Sequence, residues 1–233
     1  MAELETDFST LSDKKILQYL KSGRIIISPF VKENLNTSSM DVTLGNFYYR
    51  EQRPEPGRSI YSPWSESDVR SIWGGPQKAI KARQYMKSVG IVELGGIHPN
   101  DEIIPIAPGE TILAHTQEFI GGRDGITTMM KARSSLGRNF IEVCKCAGWG
   151  DVGYTNRWTM EITNNSRDFA IPLVVGRRIA QIVFFEVGEI VNKDYTVDGK
   201  YQSENSLVAM KKNWQPEAML PKMWKDREVK RKK

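Results

Sequence analysis

The chain has 233 residues, of which 39% are hydrophobic and 26% are charged, and its formal net charge is +5. A chain of this length can bury a core of its own, so we expect one large domain or one domain with extensions. No run approaches the roughly 20 apolar residues that span a membrane, and the acidic, polar start is not typical of a secretory signal. The sequence contains only 2 cysteines, which favours a reducing, cytoplasmic compartment.

The basic excess is confined to the C-terminal end. Residues 222–233 contain seven basic and two acidic side chains, a net charge of +5, so residues 1–221 carry 26 of each sign and sum to zero. A basic tail of this kind is usually solvated, and we therefore expect no nucleic-acid-binding surface. A nuclear import signal or a loose contact with a polyanion is the alternative that the charge leaves open.

The first predicted element is a helix. Ser12 is a suitable N-cap and Gly23 a suitable stop. Between them, one helix face would carry Ile16, Leu17 and Leu20. The apolar run RIIIS that follows is typical of a buried strand.

Strand-like runs then alternate with Gly, Pro and Asn about every eight to twelve residues. This spacing predicts an all-β sandwich or barrel and no alternation of strands with helices. The runs cover residues 39–49, 110–120, 140–147, 157–164, 169–175 and 178–187.

Residues 53–99 differ from the rest, because they are rich in proline, serine, glycine and charge. We interpret them as a long insertion with a short helix near Gln77–Lys87. Long loops in compact domains are usually functional or disordered.

The stretch KARSSLGRNF, residues 131–140, packs three basic side chains, two serines and a glycine into ten positions, and we expect no helix there. Arginine presents a planar, permanently charged fork that matches phosphate oxygens. Serine hydroxyls and backbone N–H groups can fill the remaining acceptor positions, and Gly137 lets the chain approach closely. The stretch is therefore either a phosphate cradle or a solvated turn.

Residues 157–164, RWTMEITN, alternate as a strand does. One face would carry Trp158, Met160 and Ile162; the other would carry Arg157, Thr159, Glu161 and Thr163. Glu161 is a candidate for proton transfer if its face lines a pocket, and a solvated carboxylate otherwise. The preceding glycine-rich turn offers Asp151 and Tyr154.

Several common sites are missing from the sequence, including the phosphate-binding loop of nucleotide triphosphatases, the dinucleotide-binding glycine motif and the zinc deaminase signature. Cys144 and Cys146 would share one face of a strand, and a buried or half-buried strand is the simpler interpretation of this pair than a metal site.

Five ordered motifs together resemble the dCTP deaminases of the trimeric dUTPase-like superfamily, nearly from end to end. They are residues 11–46, PGETILAHTQEFI, ARSSLGR, AGWGDVGYTNRWTMEITN and GRRIAQIVFF. The resemblance implies an all-β, dUTPase-like distorted β-barrel or jelly roll (β-clip) with a short N-terminal helix. It also implies a homotrimer whose subunits share active sites, with no membrane partner.

Glu161 favours the deaminase branch of that superfamily. Both branches carry an aspartate in the turn, here Asp151, and an asparagine thirteen positions later, here Asn164. The deaminases have a glutamate ten positions after the aspartate, where the hydrolases are typically apolar, and this chain has Glu161.

The resemblance implies that Glu161 moves protons to and from a water that attacks C4 of cytosine. Ser134 and Arg138 would hold the water, with the carbonyl of Ala147. The triphosphate would lie against Arg133, Ser134, Ser135, Gly137 and Gln181, and the remaining nucleotide contacts would come from Asp151 at the sugar, Tyr154, Thr159, Met160, Tyr195 and Lys200. The cofactor would be Mg²⁺ bound with the nucleotide, and no zinc.

The C-terminal end departs from the family pattern. Lys200–Gln202 resembles the start of the lid, but Glu204 stands where a glutamine is expected. Cys144 replaces a frequent histidine, and Val152 replaces a frequent proline. We therefore expect a deaminase-like domain over residues 1–203 and a lid remnant with a basic tail over 204–233.

The expected function is dCTP deamination to dUTP and ammonia. A bifunctional enzyme that also hydrolyses dUTP to dUMP, or a dUTPase, is the first alternative. A regulator that binds nucleotide without turnover is the second.

Overall fold

A computed structural model describes residues 10–57, 59–202 and 204–229. The helices are α1 Asp13–Ser22, α2 Glu66–Trp73, α3 Ala82–Val89, α4 Ser134–Gly137, α5 Tyr195–Asp198 and α6 Leu207–Asn213, with 3₁₀ turns at Lys32–Asn34, Pro216–Met219 and Met223–Lys225. The strands are β1 Ile25–Ser28, β2 Met40–Arg50, β3 Gln77–Lys78, β4 Ile80–Lys81, β5 Glu102–Ile106, β6 Thr111–Gly122, β7 Ile126–Ala132, β8 Ile141–Val143, β9 Trp149–Gly150, β10 Thr155–Asn164, β11 Ile171–Val174 and β12 Arg178–Glu186.

The predicted N-terminal helix and first strand are confirmed as α1 and β1. The Ser12 side chain accepts a hydrogen bond from the Lys15 N–H, and Gly23 ends the helix with a φ of 82°. Of the expected face, Ile16 is fully buried and Leu20 packs against the core, and Tyr19, which was not expected there, is also buried.

In the described part of the chain, nine strands form one curled, half-barrel sheet. Its main path runs β8-β10-β6-β2-β12-β7-β9, with β1 on β6 and β3 on β2. The order β11-β5-β4 forms a second sheet. The register pairs recorded between strands are antiparallel, so the predicted all-β class is confirmed.

Strand β10 lies between β6 and β8 and separates the core from a polar face. Trp158, Met160 and Ile162 are buried in the main core, whereas Thr159 and Glu161 are only half-buried. The predicted alternation is therefore confirmed, and it points the Glu161 carboxylate away from the core.

The insertion is more ordered than the sequence indicates. Its first helix, α2, lies before the predicted one, and the expected span Gln77–Lys87 begins as two short strands before becoming α3. The α2 residue Val69 is fully buried in a second cluster with Tyr49 and Leu113. Helix α2 was not predicted because the residues that pack against Val69 are distant from it in the sequence.

The solvated basic tail that we expected is wrong for its first residues. Trp224 packs against the second cluster, Lys222 is half-buried, and Lys200 forms an ion pair with Asp226. Residues 230–233 lie outside the described part. Among the residues described, no helix combines the length and apolar character needed to cross a membrane.

Candidate active site

A cavity of about 290 Å³ lies on the polar face of β10. Its lining includes six of the residues predicted for the site or its nucleotide: Ala147, Asp151, Tyr154, Thr159, Glu161 and Tyr195. Arg157 and Leu113 also line it, and so do Ala218, Met219 and Pro221 from the C-terminal segment. We call this cavity the Glu161 pocket.

Glu161 is the only carboxylate on the described pocket-facing side of β10. Burial raises its pKa above the ordinary value of 4.5, while its own backbone N–H and the charge of Lys145 oppose that rise. A raised pKa makes the carboxylate a stronger base than a solvated glutamate, as suits a general acid–base group.

An unusual loop leads into Ala147, which lines the pocket. Cys144, Lys145 and Cys146 have φ values of 70°, 37° and 67°, and the Ala147 N–H donates to the Cys144 carbonyl over 2.6 Å. The expected strand through both cysteines is therefore wrong, because β8 ends at Val143. Consecutive left-handed residues without glycine are costly and are found most often at functional sites.

Tyr154 forms an aromatic wall of the pocket. Its ring packs edge-on against Trp158 and Tyr195, with centroid separations of 5.1 Å in both pairs. The Tyr195 N–H donates to the Val152 carbonyl over 2.9 Å, which fixes α5 on the turn. Burial raises the pKa of Tyr154, so its hydroxyl stays protonated and can donate a hydrogen bond.

The residues that resemble the start of the lid, Lys200–Gln202, pack against the turn that precedes β10. Gln202 accepts a hydrogen bond from the Thr155 N–H over 2.7 Å and donates to the Gly153 carbonyl over 3.2 Å. The Asn156 side chain donates to the Tyr201 carbonyl over 2.9 Å. Glu204 accepts from the Asn213 side chain, so the departure from the expected glutamine serves a local contact.

The basic stretch forms α4, a single helical turn, so the expectation of no helix is wrong. The Arg138 N–H donates to the Ser134 carbonyl over 3.0 Å. An added Cβ at Gly137 would meet nothing within 4 Å. None of the predicted cradle residues lines the Glu161 pocket within the described single chain: Arg133, Ser134, Ser135, Gly137, Arg138 and Gln181.

Arg133 lies instead in a separate basic cavity of about 560 Å³ that it shares with Arg177 and Arg178. Asp41 lies 3.8 Å from Arg133 and 3.0 Å from Arg178. Gln181 pairs with the same Asp41 across β12 and β2. Arg133 and Gln181 therefore both lie next to Asp41 of β2, on different strands from Glu161.

Two residues predicted to contact the nucleotide, Met160 and Lys200, do not line the Glu161 pocket. The Met160 side chain is fully buried in the core, because strand alternation points it inward, and it does not line the Glu161 pocket. Lys200 does not line the Glu161 pocket and is held by Asp226.

Sequence reasoning missed Arg157 and Met219. Arg157 shares the polar face with Glu161, and its guanidinium lies 4.7 Å from the ring centre of Trp214 and 5.1 Å from that of Phe119. Strand alternation already placed Arg157 on this face. No local signal in the sequence marks Met219 as a pocket residue.

Among the described residues, no group of three or more His, Cys, Asp or Glu side chains could hold a metal ion.

Comparison with known proteins identifies the family. The family model described as dCTP deaminase-like matches residues 10–187. A dUMP-forming dCTP deaminase of Hydrogenobaculum is 36% identical over 182 residues, covering 77% of this chain and 84% of the relative. The corresponding protein of Sulfurihydrogenibium is 32% identical over 201 residues, covering 85% and 94%.

Comparison with solved structures also finds a deaminase with the same fold. A crystal structure of 2′-deoxycytidine 5′-triphosphate deaminase from Agrobacterium tumefaciens matches 80% of this chain with a TM-score of 0.53 and 17% identity. The match spans 51% of that longer chain, and it shows a shared fold. With the family model covering most of the chain and relatives matched over most of their length, this chain belongs to the dCTP deaminase-like family.

Proposed function

We propose that the protein deaminates dCTP in the Glu161 pocket. The observation that carries the proposal is Glu161 itself, a half-buried carboxylate with a raised pKa, ten residues after Asp151 in a pocket that both residues line. The dUTP-hydrolysing branch has no need of a proton shuttle at that place, and this difference supports deamination.

In the proposed reaction, Glu161 accepts a proton from water as the water oxygen bonds to C4 of the cytosine ring. The proton passes to N3, and the tetrahedral centre then collapses. Glu161 takes the second proton from the hydroxyl on C4 and gives it to the amine. The C4–N4 bond then breaks, ammonia leaves, and the C4 oxygen becomes the carbonyl of uracil. A positioned general base contributes roughly 10²–10⁴-fold in rate.

Ala147 and Arg138 would hold the attacking water with Ser134. The carbonyl of Ala147 can accept a hydrogen bond from the water and so aim the lone pair of the water oxygen at C4. Arg138 supplies positive charge where negative charge develops, and losing one such preorganised partner costs about 3–4 kcal/mol.

Arg138 and Ser134 lie outside the Glu161 pocket of one chain, and this separation supports a homotrimer in which a neighbouring copy brings the cradle. The triphosphate would then lie on Arg133, Ser135 and Gln181 of the neighbour. The Mg²⁺ that accompanies a nucleoside triphosphate would be held by phosphate oxygens and would share their charge.

A second activity, hydrolysis of the dUTP product to dUMP, is favoured by the relatives, whose names describe dUMP-forming dCTP deaminases. Asp151 is exposed at the pocket rim, where a carboxylate could activate water for attack at phosphorus. The same residue would bind the sugar 3′-hydroxyl.

The test is incubation of the full chain with Mg²⁺ and dCTP, dUTP or dCMP, with product identification by chromatography. Ammonia with dUTP or dUMP from dCTP supports the proposal, and dUMP supports the second activity. Tight dCTP binding without any product would replace the enzyme by a nucleotide-binding regulator.

A further inference from the structure

The outer side of the Glu161 pocket is closed by residues that follow the lid-like segment. Ala218, Met219 and Pro221 line the pocket opposite β10. We call residues 216–221 the C-terminal wall. All of its pocket-lining side chains are apolar, so it excludes water without adding charge.

Met219 is the buried centre of this wall. Only 3% of its surface is exposed, and it belongs to the cluster that contains Leu113 and Val69. Leu113 is the cross-strand partner of Glu161. Met219 thus packs in the same cluster as the residue that lies directly opposite the carboxylate-bearing position.

The insertion supports the wall from behind. Val69 of α2 is fully buried beside Met219 and Leu220, and it does not line the Glu161 pocket. Trp73 at the end of the same helix packs against this cluster. Helix α2 therefore packs against the wall and the strands behind it, and none of its residues lines the Glu161 pocket.

Three contacts hold the wall at its ends. Before it, the Trp214 ring lies 4.7 Å from the His115 ring and 4.7 Å from the Arg157 guanidinium. After it, the Lys222 N–H donates to the Tyr201 hydroxyl over 3.2 Å. Both ends are thus tied to elements that line or border the pocket.

We infer that the C-terminal wall, braced by insertion helix α2, is a fixed closure that restricts the access of bulk water to Glu161 from this side, with Met219 as a positioning residue. For the identity of the substrate, the inference rests on the proposed function. It gives the insertion a role in the site, since α2 supports the wall that shields the reacting carboxylate.

Several charged or titratable groups act on Glu161 or share its pocket. Lys145 lies on the adjacent loop, Asp151, Tyr154 and Arg157 lie on β10 or the turn before it, and Tyr195 and Tyr201 lie on the lid-like segment. None of them belongs to the wall, whose one charged residue, Glu217, is exposed and does not line this pocket. A substitution at Met219 therefore changes the hydration of Glu161 and leaves the number of nearby charges unchanged.

The test is a carboxyl-carbon NMR titration of the full chain labelled with ¹³C-glutamate, without nucleotide. The Glu161 signal is assigned by its loss in Glu161→Gln. Met219→Ala admits water, and we expect the Glu161 pKa to move downward, toward its ordinary value. The matched control is Met210→Ala, because Met210 is 5% exposed in the same C-terminal segment but does not line this pocket.

Val69→Ala is the second, milder variant. Val69 packs against Met219 and Leu220 but does not line the pocket. We therefore expect Val69→Ala to lower the Glu161 pKa by less than Met219→Ala does. An unchanged Glu161 titration in both folded variants overturns the inference, as does an equal shift in Met210→Ala. If Met219→Ala does not fold, Val69→Ala against Met210→Ala decides.

An activity profile separates this inference from the proposed function. If dCTP is turned over, the acid limb of kcat/KM should move to lower pH in Met219→Ala and stay in place in Met210→Ala. If wild type releases no ammonia from dCTP while the NMR shift occurs, the proposed function fails and the wall inference stands.

Discussion

Glu161 and Leu113 are direct partners on the antiparallel strands β10 and β6, and both line one pocket. Side chains at such paired positions share a face of the sheet. The pairing puts an aliphatic side chain against an acid that has no ion-pair partner within 4 Å among the described residues. A carboxylate held this way costs stability and is suited to proton transfer.

Glu161→Gln should therefore stabilise the protein at neutral pH. Because burial raises the pKa of Glu161, the folded state binds a proton more tightly than the unfolded state. The wild type thus loses stability as pH rises from 4.5 through the folded pKa, by roughly 1.4 kcal/mol for each unit of pKa elevation. Thermal unfolding at pH 4 and pH 8 measures this.

The neutral variant should unfold at a higher temperature at pH 8, with the gain shrinking at pH 4. Glu142→Gln is the matched control, since Glu142 is exposed on the neighbouring strand β8. Equal gains from both substitutions would show that the effect is general charge removal.

His115 should make the protein acid-sensitive. Burial lowers its pKa from 6.5 to about 4. Its Nδ1 lies 2.8 Å from the Thr116 carbonyl, and its Nε2 accepts from the Phe47 N–H over 3.2 Å, so protonation would lose the Phe47 bond. Stability present above pH 6.5 should be lost as pH falls toward 4, by at most about 1.4 kcal/mol per pH unit.

Denaturant unfolding between pH 7 and pH 4.5 measures this slope. His115→Gln should flatten it, while His98→Gln, at an exposed position, should keep it. Burial also raises the pKa values of Glu118 and Glu161, which act in the opposite direction, so the comparison between variants isolates His115. An unchanged slope in His115→Gln contradicts the assignment.

Deamination and hydrolysis should separate by mutation. Attack of water at C4 needs a proton-transferring group beside the cytosine ring. Attack of water at phosphorus needs a general base beside the phosphates. Any dUTP hydrolysis should survive Glu161→Gln and fall about 10²-fold or more in Asp151→Asn. Deamination should suffer in both variants, more severely in Glu161→Gln.

Separate rate assays with dCTP and dUTP as substrates check this division. Hydrolysis lost in Glu161→Gln but unchanged in Asp151→Asn would remove it.

Subunits with different defects should complement one another if the neighbour supplies the cradle. Co-expressed Arg138→Ala and Glu161→Gln chains would form mixed trimers in which some sites have an intact Glu161 and an intact Arg138. Random mixing should restore roughly a quarter of wild-type deamination, measured as ammonia release. Activity no higher than in the separate variants, or a monomer by light scattering, would argue for a site within one chain.

Local signals were enough to predict α1 and the alternation of β10. Ser12 and Gly23 act on the chain within a few residues, and the period-two pattern around Glu161 describes one strand. The loop at Cys144 could not be predicted, because its alternating residues resemble a strand while its left-handed backbone depends on contacts with β7 and β10.

The complete lining of the Glu161 pocket could not be predicted from the sequence, for a different reason. Met219 meets Leu113 only after α2 and the C-terminal segment have packed together, and nothing local records a contact over more than one hundred residues. The spacing of the motifs also could not predict that Arg138 lies outside the pocket that Glu161 lines. Motif spacing indicates which residues belong to a site, but it does not indicate on which surface of one chain each residue lies.

The most direct test of the central claim is dCTP turnover by Glu161→Gln. The amide keeps the shape of the carboxylate but cannot accept a proton, so ammonia release from dCTP should fall by about 10²–10⁴-fold, while calorimetry shows dCTP binding close to that of the wild type. Near wild-type ammonia release by this variant would contradict the assignment of Glu161 as the proton shuttle.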